Sequence, residues 1–295
     1  MGNEVVRYDN YMNNLKFKGF TQTDFDLLMA LCARMRDLGE EKVDFDFDYI
    51  MELIQWDESQ NLELFMQALQ SMNEKLAGVT ASVDISADES ITFVLFTTFR
   101  RNRKKRTLTV SVNPEFKFVL NELSRNFTRF ELAEYVRLDG RYAKQLYAQI
   151  RQRYRLKAHF WQPTVEEIRH VLSIPDTYTT KRIYTLILEP AVQTIKSCRG
   201  MSDLSLEVVR SKRRGRPVLG YRFEWTASDQ IPGQTDLSDA MEAVQEYKRQ
   251  KKATKRDKIH FELEHDYDYD ALEEELLEKQ KKNNRKKKET NNHEN

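Results

Sequence analysis

The sequence has few of the residues that mark secreted, metal-binding or membrane proteins. Only two of its 295 residues are cysteines, Cys32 and Cys198, and their separation does not fit the close spacing of a zinc site. We therefore expect two reduced thiols in a cytoplasmic protein. No apolar run approaches the roughly 20 residues needed to span a bilayer. The N-terminus also lacks the basic and then apolar pattern of a signal peptide, so we expect no membrane partner.

The sequence also lacks the motifs of common enzyme classes. It contains no Gly-rich phosphate loop and no Gly-x-Ser-x-Gly nucleophile elbow. None of its five histidines lie two residues apart, which argues against the His-x-His metal pair of enzymes that nick DNA. His260 and His265 could bind a metal together only if the charged segment around them were helical. We predict no catalytic residues, no cofactor and no bound metal.

Charge is plentiful but unevenly distributed along the chain. The net charge is only +1, yet residues 1–99 carry 7 Lys and Arg against 18 Asp and Glu. Residues 121–226 carry 20 Lys and Arg against 11 Asp and Glu, and the run RRNRKKR at 100–106 is basic throughout apart from one Asn. This asymmetry predicts that the middle of the chain contacts phosphate and that the N-terminal part mainly contacts protein.

Helical and strand periodicities predict one order of elements in the first part of the chain. Thr21 and Asp24 begin a helix, which ends at Gly39. The elements that follow are a strand, two helices and three strands, at 43–47, 49–56, 61–76, 78–86, 91–99 and 107–112.

A similar order is predicted again further along the chain. Residues 127–129 lead into a helix that ends at Leu138, and further helices follow at 141–154 and 164–172. A long helix from Thr180 and a β-hairpin complete the repeat. We predict an α+β fold with two tandem winged-helix domains, at 1–120 and 121–226, and a charged, partly helical or disordered C-terminal tail at 227–295. Within that tail, helices are predicted at 236–258 and 269–282.

The segment 180–225 predicts a DNA-binding surface. Its long helix opens with Lys181 and Arg182, and its two strands are joined by the basic tip KRRGR at 212–216. A winged helix binds a duplex with its helix in the major groove and its wing on the phosphates. Because cations at a helix N-terminus oppose the helix dipole, their presence there needs a function. We predict base contacts from Thr179, Thr180, Lys181, Arg182 and Thr185.

The rest of the long helix has a different character. Four apolar residues repeat every four positions and are predicted to be core, at Ile183, Ile187, Ala191 and Ile195. Pro190 lacks an N–H group, so we expect a kink there.

Further cations are predicted to bind the DNA backbone. Gly215 in the wing tip would let the main chain approach DNA closely. The run at 100–106 lies between two predicted strands, where the first domain would have its own wing. Acidic helices in that domain argue against deep groove entry, so we assign it mainly to self-association. The backbone candidates are Arg141, Lys144, Arg151, Arg153, Lys212, Arg213, Arg214 and Arg216, with Arg101, Arg103, Lys104 and Lys105 in the first domain.

Five blocks of sequence resemble the theta-type plasmid replication initiators. They are FTRFEL (127–132), RYAKQLYAQIRQRYR (141–155), VEEIRHVLSIPDTY (165–178), LEPAVQTIK (188–196) and RRGRPVLGYRFEW (213–225). The blocks follow the family's order, and residues 5–32 are similar as well, so the resemblance covers about 5–226. Ser173 stands where that family usually has Gly, and Gly140-Arg141 replaces a common Ser-Lys.

The resemblance implies a non-enzymatic initiator with two winged-helix domains. Such a protein binds repeated origin sites, called iterons, as a monomer and its own operator as a dimer, and the N-terminal domain provides the dimer contacts. The implied partners are double-stranded DNA, a second copy of the chain, and host replication proteins such as a helicase or initiator, in the bacterial cytoplasm. Repression of its own gene is implied too. The alternative is a dimeric winged-helix transcriptional repressor without an origin role. Direct repeats in the DNA beside the gene would favour the initiator, whereas a lone inverted repeat would favour the repressor.

Overall fold

The computed structural model describes residues 4–36, 38, 42–57, 61–86, 88–120, 127–155 and 159–226. The predicted tail at 227–295, with its two helices and with His260 and His265, lies outside these residues. Within them, the predicted helices and strands occur in the predicted order, together with further short elements.

The first half of the described chain contains four helices and six strands. The helices are α1 (Gln22–Met35), α2 (Phe47–Leu53), α3 (Leu62–Leu76) and α4 (Lys117–Leu120), with short 3₁₀ turns at Asn10–Asn14 and Pro114–Phe116. The strands are β1 (Val5–Asp9), β2 (Val43–Asp46), β3 (Thr80–Ser86), β4 (Glu89–Val94), β5 (Phe96–Asn102) and β6 (Thr107–Val112). The strand predicted at 91–99 is therefore divided between β4 and β5.

The second half contains the helices and strands that carry the predicted interface. Its helices are α5 (Leu132–Val136), α6 (Arg141–Arg155), α7 (Val165–Val171), α8 (Thr180–Ile183) and α9 (Glu189–Ile195), with a π-helical turn at Tyr184–Leu188 between the last two. Its strands are β7 (Phe127–Glu131), β8 (Phe160–Trp161), β9 (Ser205–Arg210) and β10 (Val218–Glu224).

Each half has a three-stranded antiparallel sheet beside its helices. In the first half the strand order is β2-β6-β5, and the basic run 100–106 extends from the end of β5 through the turn to β6. In the second half the order is β8-β10-β9, and the tip 211–217 joins β9 to β10. Both basic segments therefore lie in β-hairpins, as the sequence predicts for two wings.

The start of α1 shows why the sequence predicted a helix there. The hydroxyl of Thr21 accepts from the main-chain N–H of Asp24 at 3.3 Å, and the Asp24 carboxylate accepts from the N–H of Thr21 at 2.7 Å. This reciprocal capping satisfies two main-chain donors that a helix N-terminus leaves without partners. Asp24 is itself buried and accepts from Lys75 of α3 at 2.5 Å, so the same carboxylate joins the two helices.

A two-stranded sheet that the sequence did not predict connects distant parts of the chain. β1 pairs antiparallel with β7, with Val5 opposite Glu131 and Asp9 opposite Phe127. Next to it, the buried amide of Asn13 donates to Thr128 at 2.8 Å and to Gln152 of α6 at 2.9 Å. The boundary predicted at residues 120 and 121 passes between the two strands of this sheet, so the structure does not divide the chain there.

Close main-chain packing holds the second sheet against α7. The N–H of Tyr221 donates to the carbonyl of Pro163 at 3.0 Å, just before α7. A Cβ atom on Gly220 would lie 2.2 Å from that same carbonyl oxygen, which only a residue without a side chain avoids. The ring of Phe223 stacks on Trp161 with centroids 5.4 Å apart. The wing strand β10 is therefore held against β8 and the start of α7.

Candidate nucleic-acid interface

The start of the helix at 180–195 presents the cations that the sequence predicted for base reading. Thr179 caps the helix, and its hydroxyl accepts from the N–H of Arg182 at 3.3 Å. Lys181, Arg182 and Thr185 are exposed. The hydroxyl of Thr185 donates to the carbonyl of Lys181 at 3.0 Å, which leaves its methyl group on the exposed surface. The side chains at this end can therefore offer two cations and a methyl group to the edges of base pairs.

Apolar residues hold the opposite face of this helix in the core, as predicted. The four-residue series Ile183, Ile187, Ala191 and Ile195 is buried throughout. On a regular α-helix a four-residue repeat drifts by about 40° per step, because each residue turns about 100°. The π-helical turn at Tyr184–Leu188 takes more residues per turn, so it compensates for this drift. It lies directly before Pro190, and the structure accommodates the proline through this wider turn within a continuous helix.

Arg169 of α7 holds the turn that leads into the helix. Its guanidinium donates to the carbonyl of Pro175 at 3.0 Å and also to the carbonyl of Tyr178. At the end of α7, Ser173 adopts a left-handed conformation with φ of 48°, while the N–H of Ile174 donates to the carbonyl of Arg169. Arg169 thus fixes where the base-reading end begins, a positioning role that the sequence did not reveal.

The wing tip is narrow and strongly basic. The N–H of Arg216 donates to the carbonyl of Arg213 at 2.9 Å, and the N–H of Ser211 donates to the carbonyl of Pro217 at 2.9 Å. Gly215 has a φ of 83° and Arg216 a φ of 42°, both left-handed, so the chain turns sharply between its two strands. The side chains of the tip cations are all exposed, at Lys212, Arg213, Arg214 and Arg216.

One buried hydroxyl joins the wing to the helix. Tyr221 of β10 is fully buried, and its hydroxyl donates to the carbonyl of Thr180 at 3.0 Å. Burial raises the pKa of Tyr221 above its ordinary value, while the nearby charge of Arg169 acts against that shift, so the hydroxyl remains a donor at neutral pH. A direct hydrogen bond therefore joins the helix start to the wing.

Two of the predicted backbone contacts on α6 are wrong. Lys144 is 0% exposed, and its ammonium donates to Asp26 of α1 at 2.6 Å and to the carbonyls of Tyr135 and Val136 at 2.8 and 3.1 Å. Arg151 is buried too, and its guanidinium donates to the carbonyl of Arg129 at 3.4 Å. Neither cation can reach a phosphate, because each is enclosed by the fold.

The other two predicted cations of α6 are half-buried and partly used within the protein. The guanidinium of Arg141 lies 4.3 Å from the centroid of the Tyr142 ring. Arg153 donates to the carbonyl of Gln149 at 2.8 Å and stacks over Trp161 at 4.1 Å. Cation–π contacts of this kind orient a guanidinium without neutralising it. Phosphate contact from Arg141 and Arg153 therefore stays a prediction.

The wing of the first domain differs from the second in how its cations are used. Arg101 donates to the carbonyl of Met66 in α3 at 3.1 Å, Arg103 pairs with Glu63 at 3.1 Å, and Arg106 pairs with Asp48. Lys104 and Lys105 are exposed at the tip. Two arginines of the first wing thus form ion pairs within their own domain, whereas none of the ion pairs among the described residues involves the second wing tip.

The two cysteines agree with the structural role expected for them. Cys32 and Cys198 are both buried and free. Burial raises the pKa of each thiol to about 12, so both remain protonated.

Across the described segments, no group of His, Cys, Asp and Glu side chains could hold a metal ion. A bilayer-spanning helix is likewise not found in those segments.

Two helical modules, each with a three-stranded sheet and a basic hairpin, define a protein with two winged-helix domains. The chain matches the family described as Initiator Replication protein, WH1, over residues 5–151, and the family described as Initiator Rep protein, WH2, over residues 164–225. It therefore belongs to the initiator replication (Rep) proteins. The first domain of that family extends to 151, well beyond the boundary predicted at 120.

Known proteins support the same family and fold. The chain is 32% identical over 225 residues to "Probable replication protein rep" of Bifidobacterium longum (strain NCC 2705), which covers 76% of this chain and 73% of the relative. The fold of this chain is similar to that in the crystal structure of Pi initiator protein in complex with iteron DNA. The TM-score is 0.60 at 15% identity, over 77% of this chain and 99% of that one. The α+β fold, the two winged-helix domains and the resemblance to replication initiators are confirmed. The family favours the initiator function over a repressor without an origin role.

Proposed function

We propose that this protein initiates plasmid replication by binding iterons at the origin through its second winged-helix domain. The observation that carries the proposal is the exposed pair Lys181-Arg182 on a helix start that Tyr221 joins to an exposed arginine wing. A major-groove reader and a phosphate-binding wing held at fixed separation are what sequence-specific binding of a duplex needs. The complex of the Pi initiator with iteron DNA, which shares the fold, supports the same use of the surface.

In this proposal the residues divide the work by position. Lys181 and Arg182 donate to the O6 and N7 atoms of guanine, the Thr185 methyl contacts thymine, and Thr179 and Thr180 contact neighbouring base edges. Backbone contacts come from the wing and from the exposed tip of the first wing, at Lys212, Arg213, Arg214, Arg216, Lys104 and Lys105. Each phosphate neutralised adds about 0.9 to the slope of log affinity against log salt.

The first domain is proposed to serve mainly in self-association. Its helix α3 exposes acidic and neutral side chains, at Glu63, Leu64, Gln67, Gln70 and Glu74. A surface of this composition repels phosphate, and the ion pair of Arg103 with Glu63 of the same helix offsets one of the cations nearby. The protein would bind iterons as a monomer and its own operator as a dimer, repressing its own gene in the bacterial cytoplasm.

The proposed initiator acts without catalysis. DNA opening would draw on binding energy, since bending a 20–30 bp site costs on the order of 1–6 kcal/mol, which a basic surface can offset. Host proteins such as a helicase or initiator would then load on the opened origin. Incubation of the full chain with supercoiled origin DNA and Mg²⁺ should leave both strands intact; a nicked product would overturn this part of the proposal.

The central test is binding of the full chain to the DNA beside its gene, compared with random duplex. Arg182→Ala should cost about 1–3 kcal/mol on the specific site and relax selectivity at one base pair. Arg137→Ala, which removes an exposed arginine at the end of α5 outside the predicted interface, is the matched control. If Arg182→Ala discriminates between the site and random DNA as well as the wild type does, Arg182 does not read bases. Direct repeats in the bound DNA would identify iterons, whereas a lone inverted repeat would support the repressor.

A further inference from the structure

A short segment, here called the helix–wing connector, joins the long helix to the wing. It spans residues 196–204, between the end of α9 at Ile195 and the start of β9 at Ser205. Its main chain turns tightly, because the N–H of Cys198 donates to the carbonyl of Ile195 at 2.9 Å and the N–H of Met201 donates to the carbonyl of Cys198 at 3.1 Å. The position of this connector therefore affects both parts of the predicted DNA-binding surface.

One carboxylate from α5 holds the main chain of the connector. Oε1 of Glu134 accepts from the N–H of Arg199 at 2.5 Å, and Oε2 accepts from the hydroxyl of Tyr147 on α6. Tyr147 is fully buried and Glu134 is half-buried. Hydrogen bonds to an ionised acceptor are stronger than neutral ones, and partial burial strengthens them further. The carboxylate is thus fixed by α6 on one side and fixes the connector on the other.

This contact crosses the boundary between the two matched families. Glu134 and Tyr147 lie within the first family's residues, 5–151, and Arg199 lies within the second family's residues, 164–225. α6 also packs against α9, but apolar packing is non-directional, whereas a hydrogen bond is lost when its donor moves by about 1 Å. Glu134 therefore adds a directional constraint between the two domains.

We propose that Glu134 is a positioning residue for DNA recognition, because it fixes the helix–wing connector to the first domain. This inference rests on the proposed use of the long helix and the wing on DNA. Lys104 and Lys105 of the first wing can contact the same duplex in a fixed register only if the two domains keep a constant orientation, since DNA is stiff on this length scale. Without the constraint each domain would still attract phosphate, but the helix would meet the base edges less accurately and discrimination would fall.

Two substitutions in the full chain separate the hydrogen bonds of Glu134 from its charge. Glu134→Asp keeps the charge but is one methylene shorter, so it cannot reach both donors. Glu134→Gln loses the charge, yet its amide can accept from the N–H of Arg199 and donate to the hydroxyl of Tyr147.

The measurement is affinity for the DNA beside the gene relative to random duplex. Glu134→Asp should lower this discrimination at least about fivefold, the least that one mismatched base pair costs. Glu134→Gln should stay within about twofold of the wild type, because the two links remain. The proposal is wrong if Glu134→Asp discriminates as well as the wild type does, or if Glu134→Gln loses as much as Glu134→Asp, since the charge and not the link would then matter.

A control variant and hydrogen exchange separate positioning from stability. Leu69→Ala removes a fully buried side chain in α3, so it should lower the melting temperature and leave discrimination unchanged. If Leu69→Ala loses as much discrimination as Glu134→Asp, the loss follows stability and the proposal is overturned. Amide hydrogen exchange of the connector, followed by mass spectrometry, should be faster in Glu134→Asp than in Glu134→Gln, and equal rates would contradict the link.

The same assays distinguish this inference from the proposed function. A wild-type chain that does not discriminate between the DNA beside its gene and random duplex would contradict the proposed function itself. A wild-type chain that discriminates, together with a Glu134→Asp variant that does so equally well, would overturn only the role of Glu134.

Discussion

Replacement of Lys144 by Met tests whether this cation stabilises the fold or binds DNA. The fully buried ammonium pairs with Asp26 at 2.6 Å and donates to two carbonyl oxygens, so Lys144→Met leaves three buried acceptors without this donor. Burial raises the pKa of the Asp26 carboxyl and lowers that of the Lys144 amine, and each opposite charge acts against the shift of its partner. Breaking a buried pair by removing one partner costs about 3–5 kcal/mol. Because natural domains are stable by only about 5–15 kcal/mol, the loss is a large fraction of the total.

Urea unfolding, together with the salt dependence of DNA binding, distinguishes the two roles of Lys144. Lys144→Met should lower the unfolding midpoint by more than about 1 M, while the folded variant keeps the wild-type dependence of DNA affinity on salt. The double variant Asp26→Leu/Lys144→Met should recover most of the stability, since a buried pair replaced by apolar residues is often close to neutral. Lys212→Met is the opposite control: stability within about 0.5 kcal/mol of wild type and a salt slope lower by about 0.9. A Lys144→Met protein of full stability with a flattened salt slope would refute the buried pair.

Three further predictions concern the turn before the helix, the first 3₁₀ turn and the wing. Ser173→Gly should raise the free energy of unfolding by about 1 kcal/mol, because Ser173 has a φ of 48° and its buried hydroxyl has no partner among the described residues. Gly140→Ala, at a φ of 84° with open space around it, should lower it. A loss of thermal stability in Ser173→Gly would contradict the argument. Burial raises the pKa of Asp9 to about 6, with the N–H of Tyr11 acting against it, so the folded state binds this proton more tightly and stability falls as pH rises from about 4 to 6. Asp9→Asn, which can still accept from Tyr11, should flatten that part of the curve of melting temperature against pH; parallel curves would exclude Asp9 as the cause. Arg213→Ala/Arg214→Ala should weaken all duplexes alike and reduce the salt slope by up to about 1.8, and an unchanged slope would rule out phosphate contact by the wing.

Local patterns were sufficient to predict most of the elements and the surface of the second domain. Thr21 and Asp24 form the cap that their spacing indicates, and the four-residue apolar series of the long helix is buried. The cations of the helix start and wing tip are exposed. These features depend on residues close in sequence, which is the information that periodicity contains.

Most of the features that sequence reasoning missed depend on partners far away in the sequence. Lys144 lies in a basic helix, and nothing in its spacing shows that Asp26, 118 residues away, meets it in the core. The pairing of β1 with β7 also joins short strands from opposite ends of the first family domain, so the boundary predicted from the repeat of elements falls inside that domain. Tyr221 and Arg169 act through main-chain carbonyls, which no side-chain pattern records.

The π-helical turn has a geometric consequence for the outer side of the long helix. Since it keeps a four-residue repeat in register, the exposed residues also align, in the series Lys181, Thr185, Glu189 and Gln193. From Lys181 to Gln193 the helix advances by twelve residue steps, or about 18 Å at 1.5 Å per residue, which is as long as roughly five base pairs at 3.4 Å each. Lys181 stands first in this series and Glu189 third, so the positive charge of the exposed face is concentrated at the start of the helix.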